Sequence, residues 1–157
     1  MTDVLIYWRD YKQNWIGQFA GDRAFYWHSN AKLLGELEPG DHLWLVTSGA
    51  NVGHEVKRAG FLVAIWTVKE SVANPGDDPA YPRDDYRFRV VAAPAESIAF
   101  EEPVLVDHLL RPEGRDRAVS IGRFLQGPRK LDEQKVRLLR AAAGPELALK
   151  WLTGSKS

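Results

Sequence analysis

Hydrophobic positions in this chain fall into short runs separated by polar turns, and the two strongest runs lie close together. Leu43-Trp-Leu-Val46 and Phe61–Val68 flank the polar stretch Thr47–Arg58. Both runs are rich in Trp, Val, Ile and Leu and are bounded by glycine, which predicts two largely buried strands. Ahead of the first, Glu36-Leu-Glu-Pro-Gly-Asp41 has turn chemistry. Proline presets one backbone angle, glycine accepts positive φ, and aspartate bonds back to the backbone. Two apolar strands joined by a long polar loop describe a rigid sheet that carries an exposed recognition loop.

The remaining elements follow from the same periodicities. Residues 3–8 predict a first strand with Val4, Ile6 and Trp8 on one face and Leu5 and Tyr7 on the other. Tyr11–Gly17 has no clean period and reads as loop with a short helical turn. Tyr26-Trp-His-Ser-Asn30 leads into a short helix over Ala31–Leu37, which Ser29 or Asn30 can cap and whose Leu33, Leu34 and Leu37 form an inward stripe. Ser71–Pro82 is dense in Pro, Gly, Asn and Asp and reads as loop. Tyr86-Arg-Phe-Arg-Val90 alternates strictly, which predicts Tyr86, Phe88 and Val90 inward and Arg87 and Arg89 outward. A further strand over 97–106 is confined to an edge or a bulge by Pro103. A helix from about Asp132 to Ala143 buries Val136, Leu139 and Ala143 and stops at Gly144-Pro145. A last short helix starting near Pro145 docks Leu147, Trp151 and Leu152, and 154–157 is a frayed tail. No repeat or linker divides the chain, so residues 1–153 are expected to form a single α+β domain, a small β-barrel of about five or six strands flanked by short helices.

Composition narrows the chemistry. The chain has 157 residues and no cysteine, which excludes disulfides, thiolate catalysis and cysteine-ligated zinc, and makes the cytoplasm the expected location. No apolar run reaches the roughly 20 residues that span a bilayer, and the first residues lack the pattern of a signal peptide, so no membrane partner is expected. Formal net charge is zero, yet residues 111–140 hold nine Lys and Arg against four acids, leaving that segment at +5 and the remainder at −5. A basic segment in a neutral protein fits a local anion-binding surface, though a charge cluster by itself is more often a solvated face with no partner.

Catalytic motifs are missing. His28, His42, His54 and His108 have no metal-ligand spacing, so no metal or cofactor is expected. Ser48, Ser97 and Ser120 are not in Gly-x-Ser-x-Gly, and neither a dinucleotide fingerprint nor a P-loop occurs. Glu101-Glu102 would point to opposite faces of a strand. Aromatics carry more information: three of six tryptophans (Trp8, Trp15, Trp27) fall in the first 27 residues, near Tyr7, Tyr11 and Tyr26. Such faces stack on unpaired bases, at ~1–3 kcal/mol per base. Trp44 and Trp66, embedded in apolar strands, read as core. Tyr26–Asn30 sets an aromatic face beside hydrogen-bonding groups suited to the edge of a planar ligand, or else caps a helix. In Ser120–Lys130, Arg123, Arg129 and Lys130 suit phosphate, Gln126 suits a base, and Gly122 and Gly127 let backbone amides approach; an ordinary basic connection reads as well.

The order of features resembles the PUA-like superfamily, nearest to its EVE type, which is related to the YTH and ASCH types. The residues that carry the resemblance are Trp27-His-Ser-Asn30, Leu37-Glu-Pro-Gly-Asp41 with Leu43–Val46, Gly60–Val68 and, more loosely, Arg123–Arg129. The resemblance implies a small β-barrel that binds nucleic acid, DNA or RNA, and recognises a modified base in an aromatic pocket. It would place Trp27, Ser29 and Asn30 in the pocket, Trp8 and Trp44 as walls, Thr47 and Ser48 as a polar rim, and Arg123 and Arg129 on the phosphates. Serine stands at 29 where the EVE pattern has arginine, and the loop Ser48–Ala59 is long. On this reading the chain is a non-catalytic reader. Its rivals are an ASCH-like hydrolase of RNA or a modified nucleoside, acting through Lys57, Glu55 or Thr47, and a module that binds a small molecule or an acidic protein.

Overall fold

The computed structural model describes residues 1–11, 25–112 and 119–144, and the backbone of Lys150–Trp151. Eight strands run in the order β1 (Asp3–Tyr7), β2 (Phe25–Ser29), β3 (His42–Ser48), β4 (Gly60–Ala73), β5 (Phe88–Ala92), β6 (Ile98–Leu105), β7 (Arg129–Lys130) and β8 (Lys150–Trp151). Among the described residues four short α-helices are interspersed: α1 (Lys32–Gly35), α2 (Asp107–Leu110), α3 (Ile121–Leu125) and α4 (Glu133–Ala143).

The two apolar runs pair as expected. β3 and β4 are antiparallel, with His42 opposite Thr67 and Ser48 opposite Gly60. β4 is the spine of the sheet. Its first half lies between β3 and β6, and its second half, beyond Val68, pairs with β5. The sheet order is β2-β5-β4-β3-β1-β7, with β6 branching from the first half of β4 and β8 pairing with β6. β1 enters parallel to β3, and the Pro39-Gly40-Asp41 turn fixes that entry. Gly40 has φ +94, and the Asp41 carboxylate accepts from the backbone N–H of Thr2 and of Glu38, both at 2.8 Å.

Both faces of the central strands are buried. Val4, Ile6 and Trp8 join Leu43, Leu45, Val63 and Trp66 in one core layer; Leu5 joins Trp44, Val46, Leu62 and Leu139 in the other. This explains why these strands read as near-continuous apolar runs. Asp132 caps α4 by accepting from Lys135 N at 2.7 Å, and the helix buries Leu139 and Ala143 before Gly144 turns the chain at φ +69. Pro103 sits in an interruption of the β6 ladder, between Ala99 opposite Ala64 and Val104 opposite Leu62.

Several expectations need correcting. The sheet is not closed into a barrel: among the described residues β2, β7 and β8 each pair on one side only. Phe25–Ser29 is a strand, fully paired with β5, where the sequence pattern indicates only an approach to a helix. β4 continues to Ala73, into the stretch expected as loop, because Ser71–Ala73 have β5 as a partner. The Arg89 side chain is buried instead of facing solvent, and pairs with the largely exposed Asp77. Finally, Lys150–Trp151 pairs with Ile98–Ala99 as a short strand where a helix is expected; Tyr11–Gly17 lies outside the described residues apart from its first residue, as do Trp15 and residues 152–157.

Candidate functional site

The alternation of β1 and β2 gathers aromatic rings on one side of the sheet. Trp8 follows Val4 and Ile6 into the first core layer, while Phe25 and Trp27 leave β2 on that same side. Trp8 meets Tyr11 edge to face at 5.2 Å between centroids, Trp66 at 5.6 Å and Trp27 at 6.0 Å. Phe25 stacks on Trp66 at 5.9 Å with planes 21° apart. Trp8 and Trp66 are buried, whereas Trp27 is only half-buried and forms the outer member of the nest. Trp66 Nε1 is buried there with no hydrogen-bond partner among the described residues.

A polar staple borders the nest. The Thr47 hydroxyl donates to Trp8 O at 2.8 Å and accepts from Asn51 Nδ2 at 2.8 Å; the same Nδ2 donates to Arg9 O at 3.1 Å. With both amide protons used, Asn51 is fixed in orientation and keeps its carbonyl oxygen as an acceptor. Thr47 is wholly buried and Ser48 nearly so, which makes Thr47 a brace of the loop that follows. Ser29 Oγ accepts from Ala31 N at 3.0 Å, but the N-cap of α1 is Ala31 and no side chain caps the helix, so neither Ser29 nor the exposed Asn30 plays the expected capping part.

Trp44 stands apart. It is buried in the second core layer, on the other face of β3 from the nest. Its Nε1 donates to Asp3 Oδ1 at 2.9 Å, and the Arg140 guanidinium lies over its ring at 5.3 Å. The structure therefore brings together Trp8, Trp27, Thr47 and their neighbours Tyr11, Trp66 and Asn51, and sets Trp44 on the opposite side. Trp66 reads as ordinary core in the sequence because its strand is apolar throughout. Asn51 gives no signal there, since a lone loop asparagine has no period.

The basic segment divides into distinct roles. Arg111 is buried: its guanidinium donates to Asp107 Oδ1 at 2.7 and 3.1 Å, to Val119 O at 2.6 Å and to Arg58 O at 3.1 Å. Arg129 lies over Phe124 at 4.9 Å and donates to Phe124 O at 2.8 Å and Leu125 O at 3.3 Å, covering carbonyls at the end of α3. Lys135 Nζ donates to Leu109 O at 2.7 Å. Arg123, Gln126 and Lys130 are exposed at the same end, Gln126 with φ +51. Gly122 has a packing reason: a Cβ there would lie 2.6 Å from the Tyr7 ring. α3 packs in the second core layer and the nest in the first, with β7 holding Arg129 and Lys130 against Leu5 and Val4 of β1. Arg115 and Arg117 lie outside the described residues. Glu55 and Lys57 are exposed on the loop after β3. No group of three or more metal-binding side chains occurs among the described residues.

Among solved structures, the chain is similar to Rpa0253 from Rhodopseudomonas palustris, determined by NMR, with a TM-score of 0.55 over 90% of this chain and 92% of that one. The two share a fold. At 15% identity the likeness extends no further than that. A fainter likeness, TM-score 0.49 and 8% identity over 94% of this chain and 97% of the other, is to the N-terminal domain of Thermococcus gammatolerans McrB bound to m5C DNA. No family model and no curated protein matches the sequence.

Proposed function

We propose that this chain is a nucleic-acid-binding module of the PUA-like superfamily, of the EVE type, that reads a modified base extruded from DNA or RNA. The observation that carries the reading is the half-buried Trp27 lying on the buried pair Trp8 and Trp66. A partly accessible aromatic backed by buried ones is a stacking platform whose partner would be another flat ring. On this reading the base edge would be met by the carbonyl oxygen of Asn51, held in orientation by its bonds to Thr47 and Arg9, and by the exposed Asn30 that follows β2. Extrusion costs a few kcal/mol, which stacking and edge bonds offset, and least for a base already unpaired.

On this reading Arg123, Lys130 and Gln126 hold the sugar-phosphate chain, with Arg129 supporting them from the end of α3. Phosphate contacts position a nucleic acid without reading it, so the two groups divide affinity from selectivity.

The test is quenching of intrinsic tryptophan fluorescence by short single- and double-stranded oligonucleotides, with and without methylated bases, at two salt concentrations. Quenching that prefers one modification and disappears in Trp27→Ala supports the pocket. No response to any nucleic acid at low salt overturns the reading and turns attention to hydrolysis of RNA or modified nucleosides.

A further inference from the structure

On the face of β2 opposite Trp27, His28 is enclosed by other elements. Its ring stacks on Tyr81, centroids 4.1 Å and planes 13° apart, and Tyr26 meets it edge-on at 6.0 Å. Arg89 Nε, from β5, donates to His28 Nε2 at 3.0 Å. Arg89 is itself buried; its guanidinium lies 4.2 Å over the Tyr26 ring and donates to the carboxylate of Asp77. Tyr81 and Asp77 belong to the 74–87 connection between β4 and β5. Asn74 keeps that connection in shape, donating from Nδ2 to Tyr81 O at 3.0 Å and Tyr86 O at 2.7 Å.

The protonation state of His28 follows from its partner. Arginine only donates and keeps its charge, so the imidazole nitrogen facing Arg89 Nε presents a lone pair. The ring proton then sits on Nδ1, and His28 is neutral. A second proton can enter only at Nε2, where it replaces the acceptor by a donor and sets two cations at the distance of the broken hydrogen bond. The charged groups facing His28 are Arg89 from β5 and Asp77 and Asp78 from the connection, and Asp77 is already bound by Arg89.

We propose that His28 is a proton-operated latch: its protonation breaks the bond to Arg89 and unseats Tyr81, with its part of the 74–87 connection, from the outer face of β2, while Arg89 keeps Asp77. Burial, and then the Arg89 charge, push His28 below its ordinary value, with Asp78 and Asp77 pulling partly back. The Arg89 hydrogen bond holds Asp77 below the usual carboxylate range, so Asp77 stays ionised while His28 titrates. A histidine lowered in the folded chain binds fewer protons than in the unfolded one. Its contribution is complete above about pH 6.5 and is lost as pH falls through the folded value.

The experiment is a two-dimensional amide NMR titration of the full chain between pH 7.5 and 5, with the His28 ring protons followed in parallel. The expected result is a His28 midpoint below about 6.5, with signals of residues 76–86 shifting at that same midpoint and His28–Tyr81 ring cross-peaks vanishing. In His28→Gln, whose amide oxygen still accepts from Arg89 and does not titrate, the 76–86 signals stay still over this range. A His28 midpoint at or above the ordinary value overturns the latch. So do loop signals indifferent to His28, or the same loop shift in His28→Gln. If that variant does not fold, the wild-type midpoint and cross-peaks decide alone.

Discussion

The indole of Trp27 meets that of Trp66 edge to face, centroids 6.3 Å and planes 78° apart, with one ring half-buried and the other only 1% exposed. This arrangement separates a residue that can be removed from one that cannot. Trp27→Ala takes away an outer ring and is expected to leave a folded protein whose selective binding falls by about 5- to 150-fold, the equivalent of stacking on one base. Trp66→Ala empties the nest and is expected to cost about 3–5 kcal/mol of stability. Urea unfolding of both variants beside oligonucleotide titration of Trp27→Ala checks the distinction. A Trp27→Ala protein that binds every oligonucleotide as the wild type does would remove Trp27 from the site.

Arg123 and Lys130 are exposed at the end of α3 and on β7, outside the buried networks that hold Arg111. Replacing both by alanine is expected to leave stability within about 0.5 kcal/mol. Affinity should fall alike for modified and unmodified oligonucleotides, and the slope of log K against log salt should shrink by about one for each phosphate that the variant no longer neutralises. Arg111→Ala is not a comparable test, because its phenotype would be unfolding.

Much of this arrangement is legible in the sequence, and the failures have physical causes. The Pro39-Gly40-Asp41 turn, the β3–β4 pair, the two faces of β1 and the helix that begins near Asp132 are legible because local chemistry or strict alternation marks them. β2 is invisible there because its pairing is nonlocal: Trp27 opposes Val90, and nothing in Tyr-Trp-His-Ser announces that partner. Arg89 reads as outward from an alternation that is itself real. Val90 does face the core; the opposite face is simply covered too, by the 74–87 connection. Periodicity tells which residues share a face but not whether a loop folds back over it. Charge counting fails at Arg111 for the same reason, since a count does not reveal that Asp107 lies one helical turn away and within the core.

Gly49 begins the loop after β3 in a place that admits no side chain. A Cβ there would stand 2.0 Å from Val56 O, a backbone atom that cannot rotate away. Gly49 also closes the loop, donating to Ala59 O at 2.9 Å and accepting from His54 N at 2.8 Å. Gly49→Ala is therefore expected to destabilise by about 1–3 kcal/mol, as overpacking does. In a thermal melt this reads as a drop of about 2–4 °C per kcal/mol. Gly53→Ala is also unfavourable, through its φ of +75, yet has open space around it. The smaller loss at Gly53 would show that the clash with Val56, and not loop strain in general, governs the first site.

Asp107 joins three parts of the fold through one carboxylate oxygen, which accepts from Gly60 N at 2.9 Å and from Arg111 Nη2 and Nε at 2.7 and 3.1 Å. Arg111 passes the connection on to the carbonyls of Arg58 and Val119. Both side chains are almost fully enclosed, at 9% and 1% exposure, so little solvent screens the pair. Asp107→Asn keeps the shape and an acceptor oxygen but removes the negative charge, leaving a buried guanidinium without compensation. Losing one partner of such a pair costs about 3–5 kcal/mol. With a urea m-value of about 2 kcal/mol/M, the unfolding midpoint should fall by roughly 2 M. Asp107→Asn combined with Arg111→Met removes the orphaned charge as well, and is expected to recover part of that loss. If the double variant is as unstable as the sum of its two single variants, the side chains act independently and the ion pair is not what ties β4 to α2.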